Sequence, residues 1–167
     1  MGGKKAEQTG KRVLIQLQSE IIVAEEPVFN YKIFPEIEMP VENIEEDLYI
    51  GILEIPSLQL SLPVMSDWSY PNLKKAPCRY AGSAYTNDLI VSAHNYQCHF
   101  GSLKSLIPGD RITFTDTQGN CFLYEVTEIE ILEPTAIEQM QNGSWDLTLF
   151  TCTYGGQKRV TVRCELV

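Results

Sequence analysis

The sequence contains no run of about 18 or more apolar residues, the length that a membrane-spanning helix needs. Basic residues are also scarce, since 13 lysines and arginines face 22 acidic residues, for a formal net charge of −9. A field of that sign repels phosphate backbones and argues against nucleic acid as a partner. Five cysteines in 167 residues are too few for a disulfide scaffold, and their odd number leaves at least one thiol without a partner inside the chain. At this length the chain can still bury the core of one ordinary domain.

Several common catalytic and binding motifs are absent as well. The sequence has no Gly-rich phosphate loop, no Gly-x-Ser-x-Gly elbow and no Cys-x-x-Cys pair. His94, Cys98, His99 and Cys152 have the side chains of zinc ligands, but their spacing matches no standard structural zinc site. The acidic cluster at residues 42–47 lacks the alternating oxygen ligands of a calcium loop. We therefore expect neither a metal ion nor another cofactor.

The first 47 residues differ from the rest in composition and in the pattern of their apolar residues. Residues 11–24 place their apolar side chains near helical spacing and predict an amphipathic helix. Residues 1–10 lack the apolar region and cleavage site of a signal peptide, and indicate a leader or a shortened stem. Residues 25–47 are acidic and interrupted by prolines, which predicts an extended arm over the surface. We therefore divide the chain into a leader, helix and acidic arm at 1–47 and a compact domain at 48–167.

The compact domain consists of short β-type runs separated by turn residues, which predicts a mostly-β closed or nearly closed sheet. The predicted strands are Tyr49–Ile55, Gln59–Met65, Leu89–Ala93, Arg111–Asp116, Cys121–Leu132, Asp146–Thr153 and Arg159–Val167. A hairpin turn is expected at residues 116–120. In the predicted strand Cys121–Leu132 the apolar side chains change from one alternation register to the other, and a β-bulge near Thr127 would keep them on one face of the sheet. Helical sequence is short, at about residues 101–106 and 135–140.

Three residues at predicted strand ends could carry nucleophilic chemistry. His94 follows an apolar strand, Cys152 ends another beside a glycine-bearing loop, and Arg159 opens the last strand. A strand, a short loop and a returning strand would place Cys152 and Arg159 side by side. A cysteine nucleophile needs a proton acceptor and donor, and positive charge where the carbonyl oxygen becomes negative. Each residue also has a non-catalytic interpretation: His94 as a structural histidine, Cys152 as a buried small apolar residue, and Arg159 as a surface charge.

Other residues of the same types are weaker candidates. Arg163 shares the facing of Arg159 but lies about 13 Å further along the strand. His99 lies in a polar turn, and we expect it to be structural. The remaining cysteines are also expected to be structural, with Cys121 and Cys164 in strands and Cys78 and Cys98 in loops; the sequence does not show whether any of them pair.

Four segments follow one another between Tyr49 and the C-terminus: residues 50–64, residues 87–95 around His94, residues 148–152 with the sequence Thr-Leu-Phe-Thr-Cys, and Arg159 at the start of the last predicted strand. In this order they resemble the sortases, a family of cysteine transpeptidases of Gram-positive cell surfaces. The first segment is similar to the family's opening strand pair and the second to its histidine segment. The third matches the Thr-Leu-x-Thr-Cys signature, and Arg159 falls where the family's arginine opens the last strand.

The resemblance implies a closed eight-stranded sortase-like β-barrel and a two-step acyl transfer. Cys152 would attack the carbonyl of a threonine in a sorting signal, with His94 as general acid and base and Arg159 as the oxyanion partner. Thr151, and Ala93 where the family often has glycine, would lie in the substrate groove. The implied partners are surface proteins with a C-terminal sorting signal, and an amine of a cell-wall peptide or a pilin.

The resemblance also implies a location at the extracellular face of the cell membrane, with an N-terminal anchor that this chain does not include. No acidic counterpart of a calcium-binding loop is evident at residues 79–87, so we expect no calcium dependence. The sortase class stays open. Two other functions also stay open: a cysteine peptidase that mainly hydrolyses its substrate, and a non-catalytic relative that only binds a peptide.

Overall fold

A computed structural model describes residues 2–23, 30–141, 143–152 and 158–167. The helices and strands in these ranges are α1 (Gly2–Val23), α2 (Asn30–Ile33), β1 (Glu42–Ile44), β2 (Asp47–Ile55), β3 (Leu60–Met65), α3 (Tyr70–Leu73), β4 (Cys78–Ala81), β5 (Leu89–Ala93), β6 (Arg111–Asp116), β7 (Cys121–Leu132), α4 (Ile137–Gln141), β8 (Leu147–Thr151) and β9 (Arg159–Leu166). Short 3₁₀ turns occupy Pro56–Leu58 and Leu103–Ser105.

Eight of the strands close into a barrel. Neighbours follow the order β2-β3-β4-β5-β8-β9-β7-β6, and β2 also pairs with β6, which completes the ring. The pairs β3–β4 and β5–β8 are parallel, and the other neighbours are antiparallel. Strand β1 lies outside the ring as a hairpin partner of β2. The prediction of a mostly-β protein with a closed eight-stranded barrel, short helices and an N-terminal helix is confirmed.

Alternation along the strands fills the barrel interior and leaves a second apolar layer on the opposite face of the sheet. In β2, Leu53 belongs to the interior cluster, whereas its neighbour Ile52 belongs to the outer one. Helix α1 covers part of this outer layer with Val13 and Leu17, which are 1% and 0% exposed. Cys152 belongs to the same outer cluster, so the predicted nucleophile lies on the outer face of the barrel.

Helix α1 is longer than predicted. It begins at Gly2 instead of near residue 11, so most of the segment that we expected to be a leader is helical. Ala6 is 2% exposed, which shows that this first part of the helix also packs against the barrel. Within the described ranges, no helix combines the length and the apolar character needed to cross a membrane.

The acidic arm predicted at residues 25–47 contains regular structure that the sequence did not indicate. Helix α2 and strand β1 both lie in it, and Ile44 at the end of β1 is 1% exposed. The expectation of an extended surface arm is therefore wrong for β1, while residues 24–29 lie outside the described part of the chain. The domain boundary between residues 47 and 48 stays a prediction, and it falls just inside β2.

Most of the remaining strands agree with the pattern of the sequence. Strands β5, β6 and β7 begin and end at the predicted residues, and the bulge expected near Thr127 appears as a register shift between Val126 and Glu128. Asp116 closes the predicted hairpin by accepting hydrogen bonds from the backbone N–H of Gln118 and Asn120, at 3.0 and 2.8 Å.

Two strand assignments were wrong. Strand β4 was not predicted, and Cys78, which we assigned to a loop, is its first residue. The strand predicted at residues 146–153 is shorter, since β8 covers 147–151 and residue 153 lies outside the described ranges.

Candidate active site

The parallel pairing of β5 and β8 brings His94 and Cys152 to the same edge of the sheet. Ala93 pairs with Thr151, so His94 and Cys152, the residues that follow them, lie side by side. The backbone N–H of Cys152 donates to the carbonyl oxygen of Ala93 at 2.9 Å, which continues the ladder by one more bond. Since neighbouring strands lie about 4.8 Å apart, the backbones of the two predicted catalytic residues are adjacent.

Arg159 lies on the other side of Cys152. In the antiparallel pair of β8 and β9, Phe150 pairs with Thr161, and continuing that register places Arg159 opposite Cys152. The hydroxyl of Thr151 accepts a hydrogen bond from the backbone N–H of Val160 at 3.0 Å, which holds the two strands together at this end.

The Arg159 side chain lies on the face of the sheet that carries Cys152. Its guanidinium carbon is 5.0 Å from the centroid of the Phe150 ring, within the range of a cation–π contact. Phe150 and Cys152 are two residues apart in an extended segment and therefore share a face. The structure thus brings together all three residues that the sequence singled out for nucleophilic chemistry.

The Cys152 thiol is largely shielded from solvent, with the residue 1% exposed. Burial raises the pKa of the Cys152 thiol, while the nearby charge of Arg159 and an interaction with the Trp68 indole act in the opposite direction. Burial is the largest of these effects, so the resting thiol is protonated at neutral pH. A base is therefore needed to produce the thiolate.

His94 is the base available at this edge. Its ring is half-buried and stacks on the ring of Tyr96, with the centroids 4.0 Å apart and the planes inclined by 24°. Burial lowers the pKa of His94, so the imidazole is neutral at pH 7 and can accept a proton. A protonated thiol beside a neutral imidazole is a suitable resting state for general-base activation.

Thr151 and Ala93, which we assigned to the substrate groove, are both buried, at 8% and 0% exposure. In this structure they connect the strands that carry the catalytic candidates, through the Thr151 hydroxyl and the Ala93 carbonyl oxygen. Their contact with a substrate stays a prediction. The glycine-bearing loop that follows Cys152, residues 153–157, lies outside the described part of the chain.

The weaker candidates have structural surroundings. Arg163 is 2% exposed, and its guanidinium donates to a Glu130 carboxylate oxygen at 2.8 Å and to the Thr148 hydroxyl at 3.0 Å. His99 is 1% exposed, and burial, together with the charge of His94, lowers its pKa to about 4. Both residues therefore lie in the packed structure, away from solvent.

The zinc alternative has no support in the described residues. Within residues 2–23, 30–141, 143–152 and 158–167, no group of three or more His, Cys, Asp or Glu side chains is arranged to hold a metal ion. The five cysteines are all free thiols in the structure.

Trp68 is a neighbour of Cys152 that sequence reasoning missed. It lies in the segment between β3 and α3, and its indole is close enough to Cys152 to lower the pKa of the thiol. No spacing rule connects this loop to β8, because the pairing of β4 and β5 between β3 and β8 brings them together. The T-shaped contacts of Trp68 with Tyr80 and of Tyr80 with Phe150 mark the path between them.

The structure is therefore a closed eight-stranded barrel that carries a cysteine, a histidine and an arginine at the ends of three neighbouring strands. Residues 53–167 match the sequence model of the Sortase domain, and the chain therefore belongs to the sortase family. Family members act at the surface of Gram-positive bacteria.

Individual proteins are similar to this chain in sequence or in fold. Sortase D of Bacillus subtilis (strain 168) is 29% identical over 107 residues, which cover 61% of this chain and 53% of that protein. The chain thus spans about half the length of this curated relative. A structure of a Clostridium perfringens Sortase D5 transpeptidase aligns with a TM-score of 0.70 at 20% identity, covering 96% of this chain and 99% of that one.

A second solved structure includes a sorting motif. Clostridium perfringens sortase C with its C-terminal cell wall sorting motif aligns with a TM-score of 0.62 at 25% identity. The alignment covers 98% of this chain and 94% of that one.

Proposed function

We propose that this chain is a cysteine transpeptidase that cleaves the sorting signal of a surface protein after threonine and transfers the acyl group to an amine. The observation that carries the proposal is the register of three strand ends, which places Cys152, just after β8, between His94, just after β5, and Arg159, the first residue of β9. A buried thiol, a neutral imidazole and a guanidinium supply the nucleophile, the proton carrier and the positive charge that acyl transfer requires.

In the first step, His94 accepts the proton of the Cys152 thiol, and the sulfur attacks the carbonyl carbon of the substrate threonine. The guanidinium of Arg159 stabilises the negative charge that develops on the carbonyl oxygen. The imidazolium of His94 then donates its proton to the leaving nitrogen as the C–N bond breaks. The products are a thioester on Cys152 and the released C-terminal part of the signal.

In the second step, an amine attacks the thioester. His94 accepts a proton from the attacking nitrogen and returns one to the sulfur, so the free thiol of Cys152 and a new amide are formed. Because the thiol is nearly inaccessible at 1% exposure, the incoming amine must approach along the groove that the first product vacates. Thr151 and Ala93 would lie along this groove at the ends of β8 and β5.

The partners of this reaction belong to the same proposal. The acyl donor is a surface protein with a C-terminal sorting signal, and the acceptor is an amine of a cell-wall peptide or of a pilin subunit. The working location is the extracellular face of the membrane, where the full-length protein is held by an N-terminal anchor. The sorting motif bound to the related C. perfringens sortase C supports the nature of the donor.

Mass spectrometry of peptide products tests the function directly. The protein is incubated with a threonine-containing sorting-peptide library, with and without an added amine. The expected result is a thioester on Cys152, its loss in Cys152→Ala, and its retention in the matched variant Cys98→Ala. Full activity in Cys152→Ala would overturn the proposal.

The two arms with and without amine also separate transfer from hydrolysis. A transpeptidase forms the new amide in preference to the free acid when the amine is present. Formation of the free acid alone in both arms would instead identify a cysteine peptidase. Binding of the peptide without any cleavage would identify a non-catalytic relative.

A further inference from the structure

Trp68 contains a buried polar group that the mechanism above does not use. The residue is half-buried, and among the described residues its indole nitrogen has no hydrogen-bond partner. A buried N–H donor without an acceptor is unfavourable, and such groups in native structures require an explanation. We look for the explanation in a group that the N–H can bind at another stage of the reaction.

Trp68 packs against the outer apolar cluster that contains Cys152, so the acceptor we consider for this N–H is the Cys152 sulfur. The interaction lowers the pKa of the thiol, which means that the indole is better matched to the thiolate than to the thiol. A neutral thiol is a weak acceptor, and the contact accordingly falls short of a hydrogen bond in the resting structure. A thiolate carries a full charge and accepts a much stronger hydrogen bond.

The backbone on both sides of Trp68 is held in place. The side-chain amide of Asn72 donates to the carbonyl oxygen of Asp67 at 2.9 Å. The backbone N–H of Asn72 donates to the hydroxyl of Ser69 at 3.1 Å, and Ser69 is the N-cap of α3. The residues immediately before and after Trp68 are therefore both tied to the same short helix.

The indole ring is held as firmly as its backbone. It makes T-shaped or edge contacts with Tyr70 and Tyr80, at centroid distances of 5.1 and 5.7 Å. Tyr80 in turn packs edge-on against Phe150 at 5.1 Å, and the Arg159 guanidinium lies over that same Phe150 ring. One aromatic cluster thus positions both the indole N–H and the guanidinium beside the thiol.

We propose that Trp68 donates its indole N–H to the Cys152 thiolate and so serves, with Arg159, as a stabiliser of the reactive anion. The thiol proton goes to His94, and the indole keeps its own proton throughout, so Trp68 changes only the energy of the anion. The inference rests on the proposed role of Cys152 as the nucleophile. It adds a fourth residue to the site, from a loop that the catalytic strands do not include.

The pH dependence of Cys152 alkylation tests this role without any substrate. Iodoacetamide modification of the Cys152 peptide is measured by mass spectrometry in the full chain and in Trp68→Phe, which keeps an aromatic ring and removes the N–H. Losing a hydrogen bond to an ionised group shifts the midpoint upward by about one pH unit. Because a more basic thiolate is also more nucleophilic, the rate of Cys152 alkylation at neutral pH should be only about threefold lower in Trp68→Phe.

Trp145→Phe is the matched control, since the chain has only two tryptophans. It is expected to leave the alkylation midpoint of Cys152 unchanged. An unchanged midpoint in folded Trp68→Phe, with circular dichroism like that of the unmodified chain, would overturn the proposal even if peptide transfer slowed. Failure of the proposed function would be seen separately, as retained activity in Cys152→Ala.

A spectroscopic measurement covers the case in which Trp68→Phe does not fold. In Trp145→Phe, all tryptophan fluorescence comes from Trp68. Its emission should change with pH at the same midpoint as the alkylation of Cys152, and this transition should vanish when Cys152→Ser is added. Emission that does not respond to ionisation of Cys152 would contradict a contact between the indole and the thiolate.

Discussion

Two arginines of β9 show how the same residue type takes different roles at positions four residues apart. Arg159 is half-buried at the strand end beside Cys152, whereas Arg163 is 2% exposed and fully engaged in hydrogen bonds. The Arg159 guanidinium can contact a substrate oxygen and so stabilise the transition state. The Arg163 guanidinium is bonded to a carboxylate, a hydroxyl and two backbone carbonyls, and it stabilises the native state.

This contrast predicts opposite effects of the two alanine variants. Arg159→Ala should lower kcat/KM for a sorting peptide by about 10² to 10³, because the developing oxyanion loses its charged partner, with little change in stability. Arg163→Ala should lower the free energy of unfolding by about 2–4 kcal/mol, because the Met140 and Gln139 carbonyl oxygens and the Thr148 hydroxyl lose the donor that satisfies them. Urea unfolding and peptide kinetics measured on both variants check the prediction, and equal loss of stability in the two would contradict it.

A second prediction at this scale concerns His99. Burial, and then the charge of His94, lower its pKa from 6.5 to about 4. Below pH 6.5 the unfolded chain binds a proton at this imidazole that the folded chain does not bind until near pH 4, so stability falls as the pH falls through this window. Between about pH 7.5 and about pH 5, the loss from this group is about 2 kcal/mol.

Urea unfolding at the two pH values measures this loss. In His99→Asn the side chain no longer titrates, so the difference in stability between the two pH values should be smaller by about the same 2 kcal/mol. The difference between the proteins cancels the contribution of carboxylates common to both. An identical pH dependence in the two proteins would show that His99 does not titrate in this window.

At the scale of elements, α1 contributes to stability through one face. Leu17 is 0% exposed and lies in the outer apolar cluster, whereas Ile15, two residues earlier on the same helix, is 69% exposed. Leu17→Ala should therefore lower the free energy of unfolding by about 2–4 kcal/mol. Ile15→Ala should change it by less than about 0.5 kcal/mol. Thermal unfolding of the two variants provides the measurement, and a small loss in Leu17→Ala would mean that α1 is not docked in solution.

How far the sequence could predict these elements depends on whether the cause was local. Strands β5, β6 and β7 were predicted with their bounds because apolar runs and turn residues delimit them. The approach of His94, Cys152 and Arg159 was also predictable, since all three lie at strand ends. The position of Trp68 was not predictable, because it depends on the order of β3, β4, β5 and β8 in the sheet, which no local pattern indicates.

The first turns of α1 and the hairpin of β1 and β2 were not predicted, because contacts between residues distant in the sequence stabilise them. The first turns of α1 contain Gly2, Gly3 and Gly10, which are poor helix formers, and tertiary contacts override that propensity. The Gly3 carbonyl oxygen, for example, accepts a contact from the Cys98 thiol at 3.4 Å. The turn between β1 and β2 likewise has no glycine signal.

That turn has an unusual composition for its geometry. Glu45 and Glu46 both adopt positive φ angles, of 53° and 70°, where Asn-Gly is the usual sequence. The carboxylate of Glu45 is bound by the Arg12 guanidinium of α1 at 3.0 Å. The hairpin and the helix are therefore connected by a contact between distant residues, which no local pattern could have indicated.

At the scale of the whole molecule, the barrel and its N-terminal cover have separate apolar layers. The interior cluster comes almost entirely from residues after 48, and the ring closes through β2 and β6 within that range. The outer layer needs Val13 and Leu17 from α1 and Ile44 from β1. The domain boundary between residues 47 and 48 stays a prediction, and it can be tested by removing the segment that covers one outer face of the barrel.

A chain comprising residues 48–167 should fold into the barrel and still be less stable than the full chain. Without α1 and β1, apolar residues such as Ile52 and Met65, now 5% and 2% exposed, would face solvent. We expect a near-ultraviolet circular dichroism spectrum like that of the full chain, a lower Tm, and stronger binding of a hydrophobic dye. A dye-binding fragment without fixed tertiary structure would show that the N-terminal segment belongs to the folding unit, and an unchanged Tm would show that it covers nothing in solution.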